Sequence, residues 1–260
     1  MYPSKAKQIA FLAPLLLLAP LLAAAAPAYE PTASYDKQSI EGWTIYVSHD
    51  LMASHTELRD KSLALLRVKF FDITRVVPAP ALAKLREVPL WLEYRDRGFP
   101  CMCYHPSRQW LTHNGYNPEK ARGVEIANAE NFLKWSLEQP WMILHEYAHS
   151  YHDRVLGFDN AEVKAAYQAM VDSHTYDHVL HINGSTVRHY ALTDPQEYFA
   201  ESSEAFFGTN DFYPFVRAEL QQHDPRMYKL LWKVWGMPGK IRNPKHEIRN
   251  EAEKRKEGNS

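Results

Sequence analysis

Cysteine is nearly absent: Cys101 and Cys103 are the only two in 260 residues, which excludes a multi-disulfide scaffold and leaves stability to a packed core. In an extended segment their side chains point the same way about 6.6 Å apart, at the outer limit for a bridge, and so small a loop adds little stability. Two free or packed thiols are therefore expected. Charge of one sign is also lacking, since 30 Lys and Arg face 31 Asp and Glu, so neither nucleic acid nor an anionic membrane is an expected partner. Internal repeats and Gly/Ser linkers are missing too, which argues against a solenoid or a string of domains.

Long apolar runs are limited to one, at the start. In MYPSKAKQIAFLAPLLLLAPLLAAAAPAYEP, Lys5 and Lys7 precede an apolar stretch from Ile9 to about Ala26, followed by Ala26-Pro27-Ala28. That order reads as a secretory signal peptide over residues 1–28. A retained membrane anchor is the alternative, disfavoured by Pro14, Pro20 and the alanine-rich end. Cleavage removes two lysines and no acids, leaving 28 basic against 31 acidic residues and a formal charge of −3. The expected product is secreted or periplasmic, monomeric and without stable membrane association.

What remains is rich in core-forming residues, 45% apolar and 13% aromatic. An N-terminal extension (29–42) is expected to lead into one unit over 43–236, followed by a charged tail (237–260). WTIYVSH (43–49) and PLWLEYR (89–95) read as strands and His55 to Phe71 as an amphipathic helix. GVEIANAENF (123–132) reads as a strand entering a helix, with a cap at Asn128 or Asn131. Helical signals dominate after Pro140, so the fold class is α+β with strands early and helices late.

HEYAHSYHD (145–153) is the stretch that points to chemistry. Pro140 suits the first position of its helix and Gly157 the stop, while Trp141, Leu144, Ala148, Tyr151 and Val155 repeat at core-facing spacing. His145 and His149, four apart, share a face and can direct two imidazole nitrogens at one ion, with Glu146 beside them. A zinc site of catalytic type needs a third protein ligand. LTDPQEYFAESSEAFFG supplies candidates: Asp194-Pro195 starts a helix, Gly208 ends it, and Glu197, Glu201 and Glu204 form a carboxylate stripe at i, i+4 and i+7. Read alone, that stripe suits a solvated face, with Glu197 completing a capping box.

HEYAH followed by EYFAE resembles the gluzincin branch of zinc metallopeptidases, and within it the group containing the anthrax lethal factor catalytic domain and the Pro-Pro endopeptidases. That group places a tyrosine seven residues before the ligand glutamate, as Tyr190 stands before Glu197. The resemblance covers about sixty residues (145–207), and Ala148 departs from the glycine often found before the second histidine. It implies a zincin-like fold, a small mixed sheet with an edge strand over the active-site helix and a mainly helical C-terminal part. It further implies Zn2+ on His145, His149 and Glu197, Glu146 as general base, Tyr190 at the oxyanion and Glu201 as the outer carboxylate holding a ligand imidazole. Asp153, one turn beyond His149, is a further outer-shell candidate. Val124 to Ala129 is the candidate edge strand for an extended substrate.

His174, His178 and His181 are more simply surface histidines than a second metal site. YHPSRQWL and NDFYPF suit either the cleft wall or the core. The expectation is a secreted zinc metallopeptidase acting on a peptide or protein substrate. The alternative is a zinc-containing binding or structural protein without turnover. Cleavage specificity is not legible.

Overall fold

The computed structural model describes residues 29–96 and 98–239; the signal-like segment and nearly all of the charged tail lie outside them. The chain runs through β1 (Asp36–Ile40), β2 (Trp43–Val47), α1 (His49–Ser54), α2 (Thr56–Val76), α3 (Ala79–Arg86), β3 (Leu90–Leu92), β4 (Met102–Tyr104), α4 (Arg108–His113), β5 (Val124–Ile126) and α5 (Ala129–Trp135). It continues through α6 (Met142–Tyr151), α7 (Ala161–Ser173), β6 (Val179–Leu180), β7 (Thr186–Val187), α8 (Pro195–Phe207), α9 (Arg217–His223) and α10 (Pro225–Val234). This is a mixed α+β architecture, a small sheet first and helices after it. Among the described residues no helix is long and apolar enough to cross a membrane.

The main sheet has the order β1-β2-β3-β5-β4. β2, β3 and β5 run parallel, while β1 and β4 are antiparallel edges. Two expectations are corrected here. The segment before Trp43 is not a bare extension, because its residues 36–40 pair with all of β2. Val124–Ile126 is not the edge strand but lies between β3 and β4 and is fully buried; the edge beside the functional helix is Met102–Tyr104.

Helix α6 is held on both flanks. On the sheet side Tyr147 is fully buried, meets Trp43 and Phe70 edge-on at 5.8 and 5.7 Å, and donates its hydroxyl to the Val88 carbonyl. On the helical side Tyr151 stacks on Trp235 at 4.2 Å, and Trp235 in turn packs on Phe199 and donates its indole N–H to Ser203 of α8. Such interlocked aromatic packing fixes α6 against α8 through large buried areas. Gly208, at the end of α8, lies so near the Trp141 indole that a Cβ would sit 1.8 Å from it; only glycine permits that approach.

Local starts and stops follow the side-chain chemistry. Asn128, Asn160, Asp194 and Asp224 each accept backbone N–H groups at the first turns of α5, α7, α8 and α10, satisfying donors that a helix leaves open. Helix α6 begins at Met142 rather than Pro140 and passes into a π-helical turn, His152–Leu156, before Gly157 at φ 79° ends it. The wider turn rotates the face, so Val155 is 42% exposed rather than core-facing.

A second buried assembly ties the sheet to the N-terminal segment. The Lys120 ammonium is nearly buried and pairs with Glu93 at 2.8 Å, Asp96 at 2.9 Å and Glu125. Tyr35 donates to Glu93, and His105 pairs with the other side of Glu125. Burial works against charge on Glu125, but His105 and Lys120 outweigh it and hold its carboxyl down at about 2. Lys120, opposed by its own burial, is held well above the usual lysine range by the carboxylates around it.

Candidate functional site

A cavity of about 640 Å3 lies between β4, α6, α8 and the loop at residues 210–212. His145, Glu146, His149, Tyr190, Glu197 and Glu201 all line it. The helical spacing of α6 presents the two histidines on one face, and the Asp194 cap sets the first turn of α8 so that Glu197 faces them. Glu197 therefore reaches across to another helix, and Asp194 accepts from the Gln196 and Glu197 amides.

Three donor atoms converge. His145 Nε2 is 3.0 Å from Glu197 Oε2 and 3.1 Å from His149 Nε2, and His149 Nε2 is 3.4 Å from the same carboxylate oxygen. Tetrahedral zinc with bonds of about 2.0–2.1 Å requires its ligand atoms to stand about 3.3 Å apart. The triangle has the dimensions of three zinc ligands, and its residue types suit that ion. Burial opposes a charged His145, yet Glu197 and Glu204 beside its two ring nitrogens raise its pKa well above the ordinary range. Burial pushes the Glu197 carboxyl up, but the two histidines outweigh it and hold it well below the usual range.

The other nitrogen of His145 has a different partner from the one expected. His145 Nδ1 donates to Glu204 Oε1 at 2.8 Å, whereas Glu201 Oε1 stands 3.6 Å away, beyond a hydrogen bond. Glu204, the i+7 member of the stripe, is thus the residue placed to orient the ring and direct Nε2 at the donor triangle. Glu201 sits next to it, buried, with one oxygen lacking a hydrogen-bond partner and His189 Nδ1 3.8 Å away. Burial and the neighbouring Glu204 carboxylate push the Glu201 carboxyl well up.

Tyr190 opens a short 3-10 turn before α8 and is 47% exposed at the cavity rim. Burial and the Glu197 carboxylate raise its phenol pKa, so the hydroxyl keeps its proton at neutral pH. Glu146 lines the same cavity. Asp153 lies apart from the triangle and accepts from the Tyr104 hydroxyl at 2.7 Å, bracing the cleft wall at β4.

Edge strand β4 contributes backbone as well as side chains. The Ala127 N–H donates to the Cys101 carbonyl and the His105 N–H to the Gly123 carbonyl, with Cys103 opposite Glu125. Hydrogen-bonded pairs alternate along an antiparallel ladder, so Met102 and Tyr104 turn their backbone groups to the open side. Both cysteines are free thiols, Cys103 on this strand and Cys101 just before it; burial, followed by the Glu146 carboxylate, pushes Cys101 up to about 12. Tyr104, Pro106, Asp211 and Phe212 line the cavity, so both aromatic stretches supply cleft wall. Among the described residues His174, His178 and His181 form no common donor group: His174 pairs with Asp177, and His181 lies near Asp211.

No protein-family model matches the chain, and no curated protein or solved structure matches it either.

Proposed function

We propose that the chain is a zinc-dependent peptidase of zincin type, cutting peptide bonds in the cleft between β4 and α6. The observation that carries the reading is the triangle of His145 Nε2, His149 Nε2 and Glu197 Oε2 at 3.0–3.4 Å, with Glu146 and Tyr190 in the same cavity. His145, His149 and Glu197 would hold the zinc; when bound, it supplies Lewis-acid polarisation of a carbonyl and makes water acidic enough to deprotonate near neutral pH.

The chain's own groups do the rest. An extended peptide adds to β4 through the outward backbone groups of Met102 and Tyr104, which aligns a scissile carbonyl over the helix. Glu146 accepts a proton from the attacking water on its carboxylate and delivers it to the leaving amine. Tyr190 donates its hydroxyl to the oxygen that gains negative charge. Glu204 holds the proton on Nδ1 of His145, keeping Nε2 directed at the zinc position. A secreted location belongs to this proposal through the N-terminal segment alone.

The second reading, a zinc-containing binding or structural protein without turnover, keeps the same three ligands. A diverse peptide mixture incubated with the zinc-loaded chain separates the two by mass spectrometry. The peptidase reading expects new termini that vanish with a chelator and return with zinc; one bound zinc and an unchanged mixture would favour the second.

A further inference from the structure

The cavity has a feature that zinc chemistry leaves unused. Beyond the His145 ring, on its Nδ1 side, Glu201, Glu204 and Asp211 line the floor while each is 4% exposed or less. The partners present cover only part of their charge. Glu204 Oε1 accepts from His145, and Asp211 Oδ2 has Gln139 Nε2 at 3.4 Å and His181 Nε2 at 3.5 Å. Glu201 is met by the Asn210 side chain, but its Oε2, with His189 Nδ1 no nearer than 3.8 Å, and Glu204 Oε2 are buried without a hydrogen-bond partner. Glu146 and Glu197 line the cavity as well, and none of the residues lining it is a lysine or arginine.

Buried oxygens without hydrogen-bond partners are costly, and those of Glu201 and Glu204 belong to residues that line the cavity. A guest that brings hydrogen-bond donors and positive charge would satisfy them. Trp135, Met142 and Phe212 line the same cavity, surfaces that suit the aliphatic stem of a long cationic side chain and the face of a guanidinium. A second metal on His145 Nδ1, Glu201 and Glu204 would require the imidazole to bridge two cations after losing its remaining proton, which makes an organic cation the better occupant.

We propose that this acid-lined floor is a recognition pocket for a basic side chain, so that the substrate is a peptide carrying lysine or arginine beside the scissile bond. The inference rests on the peptidase reading for its substrate, but the pocket itself can be tested without turnover.

Matched peptides carrying lysine or norleucine, and arginine or citrulline, at each position around the cut are compared by kcat/KM. The expected result is a preference of at least about tenfold for the basic member at one position, as for a site whose buried polar groups are otherwise unpaired. Asp211→Asn should reduce that ratio at least about threefold. Independently of cleavage, calorimetry with the zinc-loaded wild type should detect agmatine binding and much weaker binding of neutral N-carbamoylputrescine. Peptides cut with equal rates for basic and neutral members would overturn the pocket, as would agmatine binding no better than its neutral counterpart or two zinc ions per chain. Agmatine selectivity with no peptide cut would support the pocket while removing the peptidase reading. Because both wild-type comparisons need no variant, the proposal stays refutable if Asp211→Asn fails to fold.

Discussion

Replacing Glu204 by glutamine keeps the size of the side chain and an oxygen able to accept from His145 Nδ1, but removes the negative charge 2.8 Å from that nitrogen. The pair is desolvated, Glu204 being 2% exposed, so the lost charge is felt almost unscreened by the imidazole. Loss of such an outer partner weakens metal affinity by about 10–100-fold, or about 1.4–2.7 kcal/mol. The glutamine should fall near the lower end of that range because the hydrogen bond survives, and Glu204→Ala near the upper end because a buried N–H is left without an acceptor. Glu201→Gln is the control: at 3.6 Å from Nδ1 it should change zinc affinity less than Glu204→Gln does. Competition titration against a chromophoric chelator measures all three. A larger loss in Glu201→Gln than in Glu204→Gln would refute the assignment drawn from the distances and restore the i+4 carboxylate as the orienting group.

Tyr190→Phe should lower kcat/KM by about 100–1000-fold, the cost of one oxyanion donor, with zinc affinity unchanged; steady-state kinetics and the same chelator titration check it. His152 is fully buried with neither ring nitrogen bonded, and burial, then the nearby His149, lowers its pKa to about 4. The unfolded chain therefore takes up this proton near pH 6.5 and the folded chain only near 4, so its contribution to stability is intact above about 6.5 and falls as pH drops to about 4. Urea denaturation of zinc-free protein should show that acid loss reduced in His152→Leu, and equal pH slopes would count against it. Lys120→Met leaves Glu93, Asp96 and Glu125 without their ammonium and should destabilise the fold by about 3–5 kcal/mol, read from the denaturation midpoint.

Much of the helical half was legible because its signals are local. His145, His149 and Glu197 come together as helical spacing and the Asp194 cap require, and Gly208 marks the helix end it was expected to mark. Choosing between Glu201 and Glu204 was beyond the sequence, since both lie on the same stripe and only the rotation of the His145 ring decides which is nearer. The sheet was read less well. β4 is three residues between Pro100 and Pro106 with no period to detect, and β1 is mostly exposed, so its DKQSI pattern looks like loop. The edge position given to β5 came from the resemblance alone, whereas Glu125 lies in the interior, where Lys120 and His105 meet its charge. Val155 missed the core because a π-turn leaves no mark in the residue spacing.

The most direct test of the central claim is Glu146→Gln, purified beside the wild type, with zinc content and peptide cleavage measured on the same samples. The account predicts one zinc per chain in both and cleavage by the wild type alone, because the substitution removes the proton acceptor and leaves His145, His149 and Glu197 intact. Undiminished cleavage by Glu146→Gln, or a wild type that cuts peptides without zinc, would contradict it.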